Sequence, residues 1–114
     1  MQFQFKSTKK SFEVRSVAGE VIKTYYVDIG NRDTLKNVLN RFAQLQTDLK
    51  EIESGVMSPE AIDTIVLSMQ NIIDTLLRDW ETLWRECEEN VFAMLELVKA
   101  LVDLCVEAMN ERDV

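Results

Sequence analysis

The chain has 114 residues, few of them glycine or proline, and carries twenty Asp/Glu against thirteen Lys/Arg with no histidine at all. That is one domain's worth of chain, able to bury about two-thirds of its unfolded surface in long regular elements. The missing histidine removes the usual general base, the Ser/His and Cys/His nucleophile pairs and most transition-metal sites, while a net charge of −7 disfavours nucleic acid and anionic membrane surfaces.

The charge is unevenly spread. Residues 1–30 hold five basic against three acidic side chains, and residues 31–114 hold eight against seventeen. The first segment alternates. Phe3-Gln4-Phe5-Lys6, Phe12-Glu13-Val14-Arg15 and Tyr25-Tyr26-Val27-Asp28-Ile29 have the period of strands, with aromatic and β-branched residues on the repeat. Ala18-Gly19-Glu20 reads as a hairpin turn in which Gly19 supplies any positive φ, and Thr8-Lys9-Lys10 as a weaker turn. Residues 1–30 are therefore predicted as an antiparallel β-hairpin or three-stranded meander. A ribbon of this size is marginal alone, so its Val14/Val21/Tyr25/Val27 side has to lean on helices or another sheet. Lys6, Lys9, Lys10, Arg15 and Lys23 give it a mild basic character, as edge-strand lysines that block aggregation do.

From residue 31 to 114 the period becomes helical. Asn31 or Asp33 caps a helix whose seam is Leu35, Val38, Phe42, Leu45, Leu49 and Ile52, closed by Ser54-Gly55. Ser58-Pro59-Glu60 opens the next, with Ile62, Ile65, Val66, Met69, Ile72, Ile73 and Leu76 as its buried stripe. Asp79 is the cap of a third segment, Trp80 to Cys87. Glu88-Glu89-Asn90 either continues that helix or marks a bend, and a break with Asn90 as a new cap is the expectation. Trp80 and Trp84 sit one turn apart on one face, as a lid on the helical core or as a partner-docking anchor. The fold class is α+β, mostly α: the hairpin or meander followed by three to four helices in a bundle, forming one compact domain.

Val91 to Met109 is apolar except at Glu96, Lys99, Asp103 and Glu107, which fall on a stripe of roughly 80° at about 100° per residue. A helix packed on one side needs an apolar face of only ~100° or somewhat more. This one needs cover from several directions, by its own chain, by another copy or by a partner. With Val91, Met94, Val98, Leu101 and Cys105 as the seam, one flank is Leu97, Leu104 and Ala108, the other Leu95, Val102 and Val106. The candidate interface residues are Trp80, Trp84, Phe92, Leu95, Leu97, Val102, Leu104 and Val106. A homo-oligomer is the expected state.

No catalytic, cofactor-binding or metal site is predicted. Cys87 and Cys105 lie eighteen positions apart without a CxxC spacing and read as buried free thiols of a reducing cytoplasm. MQFQFKSTKK has no apolar run of signal-peptide length, and four charges make membrane insertion of residues 91–109 costly. Neither a Gly-rich phosphate cradle nor the acidic positions of a calcium loop are present. The expectation is a cytoplasmic, non-enzymatic protein that binds neither membrane nor nucleic acid.

A hairpin from about residue 11 (SFEVRSVAGEVIKTYYVDI), a helix with a regular seam, an acidic turn and the pattern ECEENVFAMLELVKALVDLC together resemble small tail assembly chaperones encoded by phages and prophages of Gram-positive bacteria. The likeness spans nearly the whole chain in size, element order and acidity. It implies a factor that coats the hydrophobic tape-measure protein until tail-tube subunits polymerise around it, making tape-measure or tail-tube protein a partner. No site residue transfers, because that family has no site motif. Two other readings stand beside it: a structural homo-oligomeric virion subunit, such as a tail connector or completion protein, and an unrelated helical regulatory or binding module.

Overall fold

The computed structural model describes residues 1–55 and 58–111; the rest of the predicted helical region, residues 56, 57 and 112–114, lies outside them. The protein is α+β and mostly α. A two-stranded antiparallel sheet, β1 (Lys9–Arg15) and β2 (Val21–Asp28), precedes α1 (Arg32–Glu53), α2 (Pro59–Leu76), α3 (Trp80–Glu86) and α4 (Val91–Glu111).

The hairpin closes where the glycine was expected to close it. Gly19, at φ 86°, donates its N–H to the Ser16 carbonyl at 2.9 Å, and the Ser16 N–H donates to the Glu20 carbonyl at 2.8 Å. Three expectations for this region fail. Residues 3–6 form no strand, so the sheet is a hairpin and not a meander; Thr8-Lys9-Lys10 is not a turn but the straight run into β1. The third is Val21. Val14 pairs with Lys23 but Arg15 pairs with Val21, leaving Ile22 as an extra residue. That bulge turns Val21 onto the face opposite Tyr25, where it is 48% exposed, and brings Ile22 partly inward instead. Tyr25, Val27 and Ile29 are buried in the common core, with Phe12 and Val14 packed against it.

Helix ends follow the local chemistry. The Asn31 side chain accepts the N–H groups of Asp33 and Thr34, at 3.0 and 3.2 Å, and Ser58 accepts that of Ala61 at 3.1 Å with Pro59 behind it. Gly55, at φ 97°, follows the last residue of the α1 cap. The α1 seam has Val38 and Leu45 fully buried and Leu35, Phe42, Leu49 and Ile52 packed beside them. On α2, Ile65, Met69, Ile72, Ile73 and Leu76 are buried, while Ile62 lies near the end of the bundle and is partly open. α2 packs against α1, α3 and α4.

α3 and α4 are separate helices. Glu88 and Glu89 both adopt left-handed backbone, φ 57° and 56°, a conformation costing a side-chain-bearing residue about 1–2 kcal/mol. The Glu89 N–H returns to the Trp84 carbonyl at 2.9 Å, and the Asn90 side chain accepts the Ala93 N–H at 3.0 Å, so the expected break and cap are both present. The result is an elongated, thin body of 59 × 32 × 20 Å, with a radius of gyration of 15.7 Å against about 13 Å for a compact chain of this length.

Candidate interaction surface

The hairpin lies lengthwise along α4. Its turn end shares a cleft with Ala93, Met94 and Leu97, and Thr8, Lys10 and Ile29 share a smaller hollow with Cys105, Ala108 and Met109. A seven-residue strand and about four turns of helix are both roughly 20 Å long, so the two match. The hairpin therefore borders the Leu97 and Ala108 side of α4. Leu97, Leu104 and Ala108 are half-buried against the core.

One polar cluster ties the hairpin to the start of α3. Asp79 stands at the N-cap position of α3 yet gives its carboxylate to no backbone N–H of that helix. It accepts the Tyr25 hydroxyl at 2.6 Å and the Lys23 ammonium at 3.1 Å, and Lys23 lies 4.9 Å from the Tyr25 ring centre. The Trp80 N–H donates instead to Asp74, at 3.3 Å, in the last turn of α2. Burial, then the Asp79 hydrogen bond and charge, hold the Tyr25 phenol well above its ordinary value. Hydrogen bonds from Tyr25, from Thr82 and from Lys23 hold the Asp79 carboxyl below the usual carboxylate range.

The predicted interface residues divide into three groups. Trp80 and Val102 are buried in the chain's own core, because α3 closes one end of it and the second flank of α4 turns inward; neither offers a contact to another molecule. Leu95, Leu97 and Leu104 are half-buried. Trp84 is half-buried, Phe92 is 78% exposed and Val106 42% exposed. Trp84 stacks on Trp80 with centroids 5.0 Å apart and planes 18° from parallel. Its other side borders a shallow, open depression with Glu81, Arg85, Glu88 and Glu89. An aromatic ring held on a buried one loses little freedom when something docks on it. Phe92 and Val106 share the solvent side of α4 with the Glu96, Lys99, Asp103 and Glu107 stripe.

Met109, Leu67 and Tyr26 are exposed too, without a periodic signal that singles them out, as are Phe3 and Phe5, which alternate along residues 3–6. The basic residues of the hairpin are partly matched by carboxylates: Arg15 pairs with Glu13 and Lys23 with Asp79. Both cysteines are free; Cys105 is buried, which pushes its thiol up, and Cys87 is half-buried with its S–H on the Trp84 carbonyl at 3.3 Å. Among the described residues no three acidic or cysteine side chains converge on a metal position, and no helix is long and apolar enough to cross a membrane. Compared with protein-family models, curated proteins and solved structures, the chain matches none.

Proposed function

We propose that this chain is a non-enzymatic assembly factor acting in the cytoplasm of a bacterial host, where it holds the apolar surface of a tape-measure protein as the tail assembly chaperones it resembles do. The supporting observation is the presentation of Trp84 and Phe92 on an acidic body: one ring pre-stacked on a buried partner, the other almost wholly in water at the start of the next helix. A holder for a sticky helical client needs apolar anchors that do not make the holder itself insoluble, and the surrounding carboxylates provide that. Helix-in-groove docking is the matching recognition mode.

Co-expression with a tape-measure fragment tests this. The expected result is a larger soluble fraction of the fragment and its co-purification with this chain. Phe92→Ser, a surface change that leaves the core intact, weakens that capture at least tenfold, and Trp84→Ala does so by about thirtyfold, the size of a hot-spot loss of ~2 kcal/mol. No gain in client solubility, together with this chain retained in purified particles, overturns the chaperone reading in favour of a structural subunit.

A further inference from the structure

The cleft at the turn end of the hairpin, about 600 Å³, has an unusual wall. Phe12 to Arg15 of β1 line it in unbroken succession, followed by Ser16 and Val17 of the turn, whereas β2 contributes Ile22 alone. Consecutive residues of a strand point to opposite faces, so a cleft can touch all of them only along the strand's edge. β1 pairs with β2 on one side and with no other strand among the described residues. The cleft is thus bordered by an unpaired strand edge. Its floor is apolar, with Leu83, Met94 and Leu97, and its far rim carries Glu86, Glu88 and Glu96, for which no cation partner exists among the described residues.

The same chain carries a segment of complementary form. Residues 1–8 are in no strand or helix, Phe3 and Phe5 are 81% and 88% exposed, and their rings meet edge to face 5.0 Å apart, on one side of the segment as strand alternation requires. Lys6, Lys9 and Lys10 lie in or beside it, and the first carboxylate of the chain is Glu13. We infer that the N-terminal arm of a second copy adds as a strand to the free edge of β1, seating Phe3 and Phe5 on the cleft floor with Lys6 near the glutamate rim, and that two copies swap arms reciprocally.

The arm does not do this in its own copy. Thr8 continues straight into β1: its carbonyl accepts the Ile29 N–H at 3.4 Å, its hydroxyl donates to Asp28 at 2.6 Å, and its side chain rests against Gly30. Residues 1–10 contain no glycine or proline to reverse the chain there. The length fits, since the four residues Phe3 to Lys6 as a strand span roughly 13 Å, the same as Phe12 to Arg15. The area fits too. Four phenylalanine side chains bury roughly 600 Å² or more, and the paired backbones and facing surfaces bring a reciprocal swap to the ~1,000 Å² that a specific interface needs. The closed, two-fold form is the ordinary outcome when identical elements trade places.

Light scattering from sub-micromolar to tens of micromolar protein is expected to show a dimer that dissociates on dilution. Phe3→Ser with Phe5→Ser, on a segment outside the core, gives a single chain throughout, with a melting curve that matches wild type only at dilutions where wild type is also a single chain. Glu86→Lys with Glu96→Lys weakens dimerisation about tenfold or more. Cys87 lies on the cleft wall, so Phe3→Cys or Phe5→Cys forms, on mild oxidation, a disulfide-linked species of twice the chain mass that Cys87→Ser abolishes. A cross-link within one chain, no cross-link from either position, a dimer that survives loss of both phenylalanines, or a single chain at every concentration overturns the inference. None of these results bears on client capture through Trp84 and Phe92, so the two proposals fail separately.

Discussion

Residues 3–6 and residues 25–29 carry the same alternation of aromatic or β-branched with polar side chains, and they have opposite fates. Tyr25, Val27 and Ile29 are buried, while Phe3 and Phe5 stand in water. The difference is not hydrophobicity. β2 follows a tight turn that returns it to β1, its inner face meets the helices, and Tyr25 is tied to Asp79 across fifty-four residues of sequence. The arm has no turn to bring it back and no apolar floor within its own reach. Alternation makes a segment competent to be a strand; a neighbouring edge decides whether it becomes one.

That contrast can be broken at several points. The largest effect belongs to Tyr25→Ala, which empties a buried aromatic site and removes the tie to α3; denaturant unfolding is expected to show a loss of about 3–5 kcal/mol. Gly30→Ala comes next. A methyl group there runs into the Thr8 side chain, and about 1–2 kcal/mol is the expected cost of making room, with the Thr8–Asp28 hydrogen bond lost.

Tyr25→Phe keeps the ring and deletes the hydroxyl, for a loss near 1 kcal/mol. It also changes the pH dependence. In the folded protein Tyr25 holds its proton beyond the value at which an unfolded tyrosine ionises, so wild-type stability falls as pH rises past about 10, and the variant lacks that contribution. At the acid end Asp79 and Asp28 both sit below the ordinary carboxylate value. Asp28 is held there by hydrogen bonds from Thr8 and Gly30. The unfolded chain therefore takes up protons first, and stability falls as pH drops below about 4, less steeply in Asp79→Asn. The smallest effect is on the other side of the comparison: Phe3→Ser with Phe5→Ser, measured dilute enough to keep copies apart, changes unfolding free energy by under about 0.5 kcal/mol.

Much of the architecture was legible because local chemistry and packing agree. Asn31, Ser58-Pro59 and Asn90 cap where their side chains can reach a free N–H, and the seams of α1 and α2 are buried nearly as their spacing indicates. What was hidden was long-range. Asp79 was legible as a helix cap but not as the acceptor for Tyr25 and Lys23, since nothing local reveals a partner in another element. The Ile22 bulge was hidden because period alone does not show where a strand skips, so Val21 was placed on the wrong face. Val102 was expected at a surface because helical spacing measures how apolar a side is, not which neighbour covers it; for Trp80 the lid alternative holds and the docking alternative does not. The left-handed pair Glu88-Glu89 had no glycine to announce it.

The body is only 20 Å through its thinnest direction, so no backbone amide lies deeper than about 10 Å below one broad side or the other. Protection from deuterium uptake then cannot come from depth and has to come from being flanked. α2, bordered by the three other helices, is expected to hold its amide protons longest in a hydrogen-exchange measurement. The hairpin and the outward half of α4 are expected to release theirs by local openings short of global unfolding.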